Sequence, residues 1–62
     1  MTTTAEVLAL GGQVFRAEVL VLWLGLPNPM LDDDVPGELL GAEAGRDRVA
    51  ALLAALAEGV VL

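Results

Sequence analysis

The side chains of this chain that could do chemistry are few, and the densest group is Asp32-Asp33-Asp34. Neighbouring carboxylates can serve as general acid and base when an apolar pocket separates their pKa values. They can also ligate a hard cation when alternate residues converge on it. Neither arrangement fits here, because the aspartates are consecutive, fall in a predicted loop and lack the D-x-D-x-D-G spacing of a calcium site. The only hydroxyls are Thr2, Thr3 and Thr4, in a stretch expected to fray, and Cys, His, Ser, Tyr and Lys are absent. That inventory supplies no activated nucleophile and none of the usual zinc or iron ligand sets. Gly11-Gly12 lacks the spacing of a phosphate-cradling loop. The expectation is a protein that is not an enzyme and carries no cofactor or metal.

What remains is a binding function, and composition narrows it. A chain of 62 residues makes one domain at most, and one of that size buries only about 60% of the surface its unfolded form exposes. Hydrophobic residues make up 56% of it, more than the roughly 45–50% usual for soluble domains even with glycine counted. One small core cannot hide that much apolar surface, so association with another polypeptide is implied. The formal charge of −6, from nine acidic residues against three arginines, would repel a phosphate backbone. Nucleic-acid binding by this chain alone is therefore not expected, and the acidic balance suits solubility or a partner with a basic pocket. Arg16, Glu18 and the prolines at 27 and 29 interrupt every apolar run before it reaches the ~18 residues of a membrane span. The opening MTTTAEV lacks the basic region of a signal peptide. A cytoplasmic protein with no membrane association is expected.

The elements that must position a binding surface read as helices. Thr3 and Glu6 have the spacing of a capping box, which predicts a short first helix through Val7, Leu8 and Leu10 that ends or bends at Gly11-Gly12. A second helix is predicted over Gln13 to Leu26, with Phe15, Val19, Leu22 and Trp23 on one face; VLVLWL would also suit a buried strand. Pro27-Asn28-Pro29 stops it. Asn28 then caps a single turn with Pro29 at its first position, burying Met30 and Leu31. Asp32 to Asp34 form a solvated loop, and Pro36 opens another short helix to Leu40 with Leu39 and Leu40 inward. From Glu43 to Glu58 the pattern is clearest: Val49, Leu52, Leu53 and Leu56 share a face that reaches Val60, six alanines fill much of the rest, and Gly59 stands where a C-cap belongs. The fold class is all-α, a small bundle of three to four short helices with the longest at the carboxyl end.

From Trp23 onward the pattern WL..PNP.L....P.ELL..E.GR.RV..LL..L..G resembles the toxin-binding domain of the Xre/MbcA/ParS-like antitoxins. The residues that carry the resemblance are Trp23, Leu24, Pro27, Asn28, Leu31, Pro36, Leu39, Leu40, Gly45, Val49, Leu52, Leu53 and Gly59. Two departures accompany it. Ala42 stands where the family tends to have a capping Thr, and Arg16-Ala17 where it often has a Gly-Asp turn. The family's usual helix-turn-helix DNA-binding module has no counterpart here, so the expectation is the toxin-binding half alone, spanning 1–62.

The resemblance implies an antitoxin of a type II toxin-antitoxin system whose partner is a RES-domain toxin, an enzyme that degrades NAD or transfers ADP-ribose from it. It further implies that the antitoxin covers the NAD pocket. In this chain the last helix and tail would do so, with Leu53, Leu56, Glu58, Gly59, Val60, Val61, Leu62 and the terminal carboxylate as contacts. Val49, Leu52, Leu53 and Leu56 read at the same time as the internal stripe of that helix. Arg46 and Arg48 read either as a solvated face or as partners for acidic groups of the toxin. Trp23 within LVLWLGL reads as core rather than as an interface anchor. Two other classes compete. A generic helical dimerisation module would explain the apolar excess through a homo-oligomer. A membrane-surface peptide is opposed by the negative charge.

Overall fold

Residues 1–59 are described by a computed structural model, in which α1 (Thr4–Val14), α2 (Ala17–Leu24), a 3-10 turn (Pro29–Leu31), α3 (Pro36–Leu39) and α4 (Glu43–Ala57) follow in chain order. The fold is all-α, and the longest helix lies at the carboxyl end, as the periodicity implies. Its radius of gyration, 10.4 Å, is close to the ~11 Å expected of a folded chain of this length. The expectations for Val60, Val61 and Leu62 fall outside the described residues.

Local sequence signals account for most of the helix starts. The Glu6 amide donates to Thr3 Oγ1 (3.1 Å) and the Thr3 amide to Glu6 Oε1 (3.2 Å), so the capping box closes and satisfies two orphan donors of α1. Asn28 Oδ1 accepts the Met30 amide at 2.9 Å, which starts the 3-10 turn with Pro29 at its first position. Pro36 opens α3. Ala42 occupies the N-cap of α4 and provides no side-chain hydrogen bond. Gly59 ends α4 with φ of +76°, the left-handed conformation that a glycine cap adopts without steric penalty.

The first break in the chain lies elsewhere than the glycines suggest. α1 runs straight through Gly11-Gly12, and the chain turns at Phe15 and Arg16, both extended. Packing explains this: a β-carbon on Gly11 would come within 2.6 Å of Leu20 Cδ1, so the bare glycine lets α2 lie against α1. The contact outweighs the ~1 kcal/mol helix penalty of one glycine. Because the break follows Phe15, the predicted Phe15–Val19–Leu22–Trp23 stripe spans two elements and does not form. α2 turns Leu20, Trp23 and Leu24 inward and leaves Val19 and Leu22 exposed.

The core is built mainly between α1 and α4. Val7, Leu31, Val49, Leu52 and Leu53 form one buried cluster, edged by Leu10, Val14, Phe15, Trp23, Leu39, Leu40, Ala50 and Leu56. Full burial of each such side chain contributes about 1.5–3 kcal/mol. Leu8, which the sequence groups with Val7, stays largely exposed, and Met30 is 53% exposed where burial is expected. α3 meets α4 at Gly45, where any β-carbon would run into the Leu39 carbonyl oxygen. Only glycine permits that approach. The amino end is tied down rather than frayed: the Thr2 carbonyl accepts Arg46 Nε at 2.8 Å.

Candidate partner-binding surface

α4 has three faces, and each uses its residues differently. The inner face carries Gly45, Val49, Leu52 and Leu53, all buried. Leu53 is 0% exposed, so this fold withholds it from any partner. It packs with Val7, Leu31, Val49 and Leu52 in the buried cluster. Leu56 is half-buried against the same cluster, and Glu58 and Gly59 are exposed at the helix end.

Arg46 occupies a flank. Its guanidinium donates from Nε to the Thr2 carbonyl and from Nη1 to the Leu40 carbonyl (3.0 Å), joining the amino end, the α3–α4 corner and α4. The solvated face does not describe Arg46, because two backbone acceptors hold it against the molecule. Such charge-assisted bonds to carbonyls contribute about 1.5–3 kcal/mol each.

Arg48 lies on the outer face, where its guanidinium meets Asp32 (3.6 Å) and Asp34 (3.5 Å). Both pairs are exposed, and such pairs are worth about 0–1 kcal/mol. The aspartate loop is nonetheless shaped. Asp32 and Asp33 have φ of 56° and 65°, a left-handed conformation that aspartate tolerates better than most residues. The Asp33 amide donates to the Asn28 carbonyl (2.9 Å) and the Asn28 amide to the Asp34 carbonyl (3.0 Å), which pins both ends of the turn. Beside it an open depression of about 370 Å³ is lined by Met30, Leu31, Arg48, Ala51, Leu52 and Ala55. The lining is mostly apolar, with Arg48 on its rim.

The remaining motif residues are structural. Trp23 is half-buried with its ring 5.7 Å from that of Phe15, Leu24 supports α3, Asn28 caps the 3-10 turn, and Leu31 and Pro36 are buried. Leu39 and Leu40 are half-buried, and Pro27 is exposed in the turn. Sequence reasoning missed two exposed apolar regions. One is the outer groove, in which Met30 meets the alanines of α4. The other is the outer face of α2 with its continuation, where Val21 is 70% exposed, Leu22 65% and Leu26 59%. The excess hydrophobicity of the composition announced that such surface exists but not where.

Small size, an all-helical body, a single compact core and exposed apolar faces define a module that works by contact with another polypeptide. Over residues 10–59 the chain matches the family described as antitoxin Xre/MbcA/ParS C-terminal toxin-binding domain, and it belongs to that family. No curated protein and no solved structure matches it. The chain is thus the toxin-binding domain of an antitoxin from a toxin-antitoxin system, and its partner is a toxin. Among the described residues no helix is long and apolar enough to cross a membrane.

Proposed function

We propose that this domain neutralises a RES-domain toxin, an NAD-using enzyme, by seating the end of α4 and the residues that follow it in the toxin's active site. The observation that supports this reading is the gradient of burial along α4. Its first three turns are anchored by Gly45, Val49, Leu52 and Leu53, whereas Ala57, Glu58 and Gly59 are exposed at its end. Leu56 still packs against the core, so the short exposed end from Ala57 to Gly59 is the part of the helix placed to enter a concave partner. The sequence beyond it, Val60-Val61-Leu62, is wholly apolar. Pockets that bind a dinucleotide pyrophosphate present cations or amide donors, which a carboxylate such as Glu58 can engage. Apolar contact and complementary charge together would exclude NAD.

The test is co-purification with the co-encoded enzyme, followed by an assay of NAD consumption. Deleting residues 59–62 is expected to weaken inhibition at least about a hundredfold, on the scale of losing an interface hot spot. The helical circular-dichroism signal should persist, because the core residues are upstream. Full inhibition by the truncated chain would rule the mechanism out. The exposed face of α2 favours a second reading, a self-associating helical module. A monomer by sedimentation, binding the toxin one to one, would exclude it.

A further inference from the structure

The groove between the 3-10 turn and α4 forms a second exposed feature on the helix that carries the proposed plug. Its floor is Leu31, Ala51, Leu52 and Ala55, and Met30 forms a wall with its side chain half in solvent. Arg48, Ala51, Leu52 and Ala55 recur along α4 at i, i+3, i+4 and i+7, so the groove runs along one stripe toward the exposed helix end. At its rim the Arg48 guanidinium sits within 3.6 Å of Asp32 and 3.5 Å of Asp34, which places the aspartate loop at the groove's mouth. One cation faces two carboxylates there, and the rim is net acidic. The left-handed turn pinned on Asn28 fixes the backbone that carries those aspartates before any partner arrives.

We infer that this groove is a second docking site for the toxin and takes an apolar segment of it bordered by lysine or arginine. This rests on the antitoxin reading above and adds a contact distinct from the plug. Charge complementarity selects the occupant. A second copy of this chain would bring net charge −6 and only three arginines, one of them held internally by Thr2 and Leu40 and one already paired with these aspartates. Such a copy meets the acidic rim with like charge. A basic-flanked apolar segment fills the alanine-lined floor while its cation shares Asp32 and Asp34 with Arg48. The existing pairs are long and exposed, so they exchange readily.

The test measures affinity of the full chain for the co-encoded toxin. Ala51→Glu places a carboxylate in the groove at an exposed position of α4, with a good helix former. It is expected to weaken the complex at least about tenfold, whereas Ala9→Glu, on the exposed side of α1, leaves it unchanged. Asp32→Asn with Asp34→Asn is expected to slow association and flatten its dependence on salt, as loss of rim charge does. Circular dichroism of the free variants checks that each still folds. Wild-type affinity for Ala51→Glu overturns the groove, and so does a homodimer that Ala51→Glu dissociates. Binding by the wild type that withstands deletion of 59–62 yet fails with Ala51→Glu separates the groove from the plug. Absence of any wild-type complex defeats the antitoxin reading and this inference with it.

Discussion

α2 and α4 make an instructive pair. After Glu18 every residue of α2 is apolar, yet Leu20 is its one buried side chain and Val21 and Leu22 face outward. α4 is diluted with alanine and four charged residues in its first turns, yet it buries Gly45, Val49, Leu52 and Leu53. Hydrophobicity says how much a segment gains from burial, whereas the arrangement of its neighbours decides whether burial happens. α4 lies across α1, α3 and the 3-10 turn, while α2 is covered on one side only. The apolar surface left over is what a protein that acts by contact has to offer.

Substitutions can break that contrast in measurable ways. The largest effect is expected for Leu53→Ala, which removes a fully buried side chain from the core and costs about 2–5 kcal/mol. Leu22→Ala deletes the same atoms from the exposed face of α2 and should shift stability by no more than about 0.5 kcal/mol. Urea titrations followed by circular dichroism compare the two; equal losses would mean that α2 is packed in solution. An intermediate effect separates the two arginines of α4. Arg46→Met loses the bonds to the Thr2 and Leu40 carbonyls and is expected to cost about 3 kcal/mol. Arg48→Met loses only exposed ion pairs, worth about 0–1 kcal/mol, a loss that added salt should erase. The last change is a gain. Ala42→Ser supplies the missing N-cap of α4 and should raise stability by about 1 kcal/mol, read as a higher thermal midpoint. No gain would indicate that another group already satisfies the first amides of α4.

How much of this was legible beforehand depended on range along the chain. The capping box at Thr3 and Glu6, the Asn28–Pro29 turn, the opening of α3 at Pro36 and the glycine cap at Gly59 all act over four residues or fewer. The inner stripe of α4 was legible too, because one uninterrupted helix preserves its period. The α2 stripe was not, since its count crossed an unseen break at Phe15 and Arg16. Among the candidate contacts, Leu53 turned out to be core and Arg46 an internal clamp, and the groove that Met30 shares with Ala51 and Ala55 had no signature in either segment alone.

The sequence by itself determined the helical class, the caps at Thr3, Asn28 and Gly59, the proline that opens α3, an apolar content beyond what a small core absorbs, and the ordered motif from Trp23 to Gly59 that marks the family. Tertiary structure alone decided which glycine would be a contact instead of a break, which arginine would be locked to the backbone, and which apolar side chains would remain in solvent. The physical reason is that caps and turns are satisfied by atoms a few residues away. Burial instead depends on which surfaces meet, and in so small a body each helix has room to be covered on only part of its circumference.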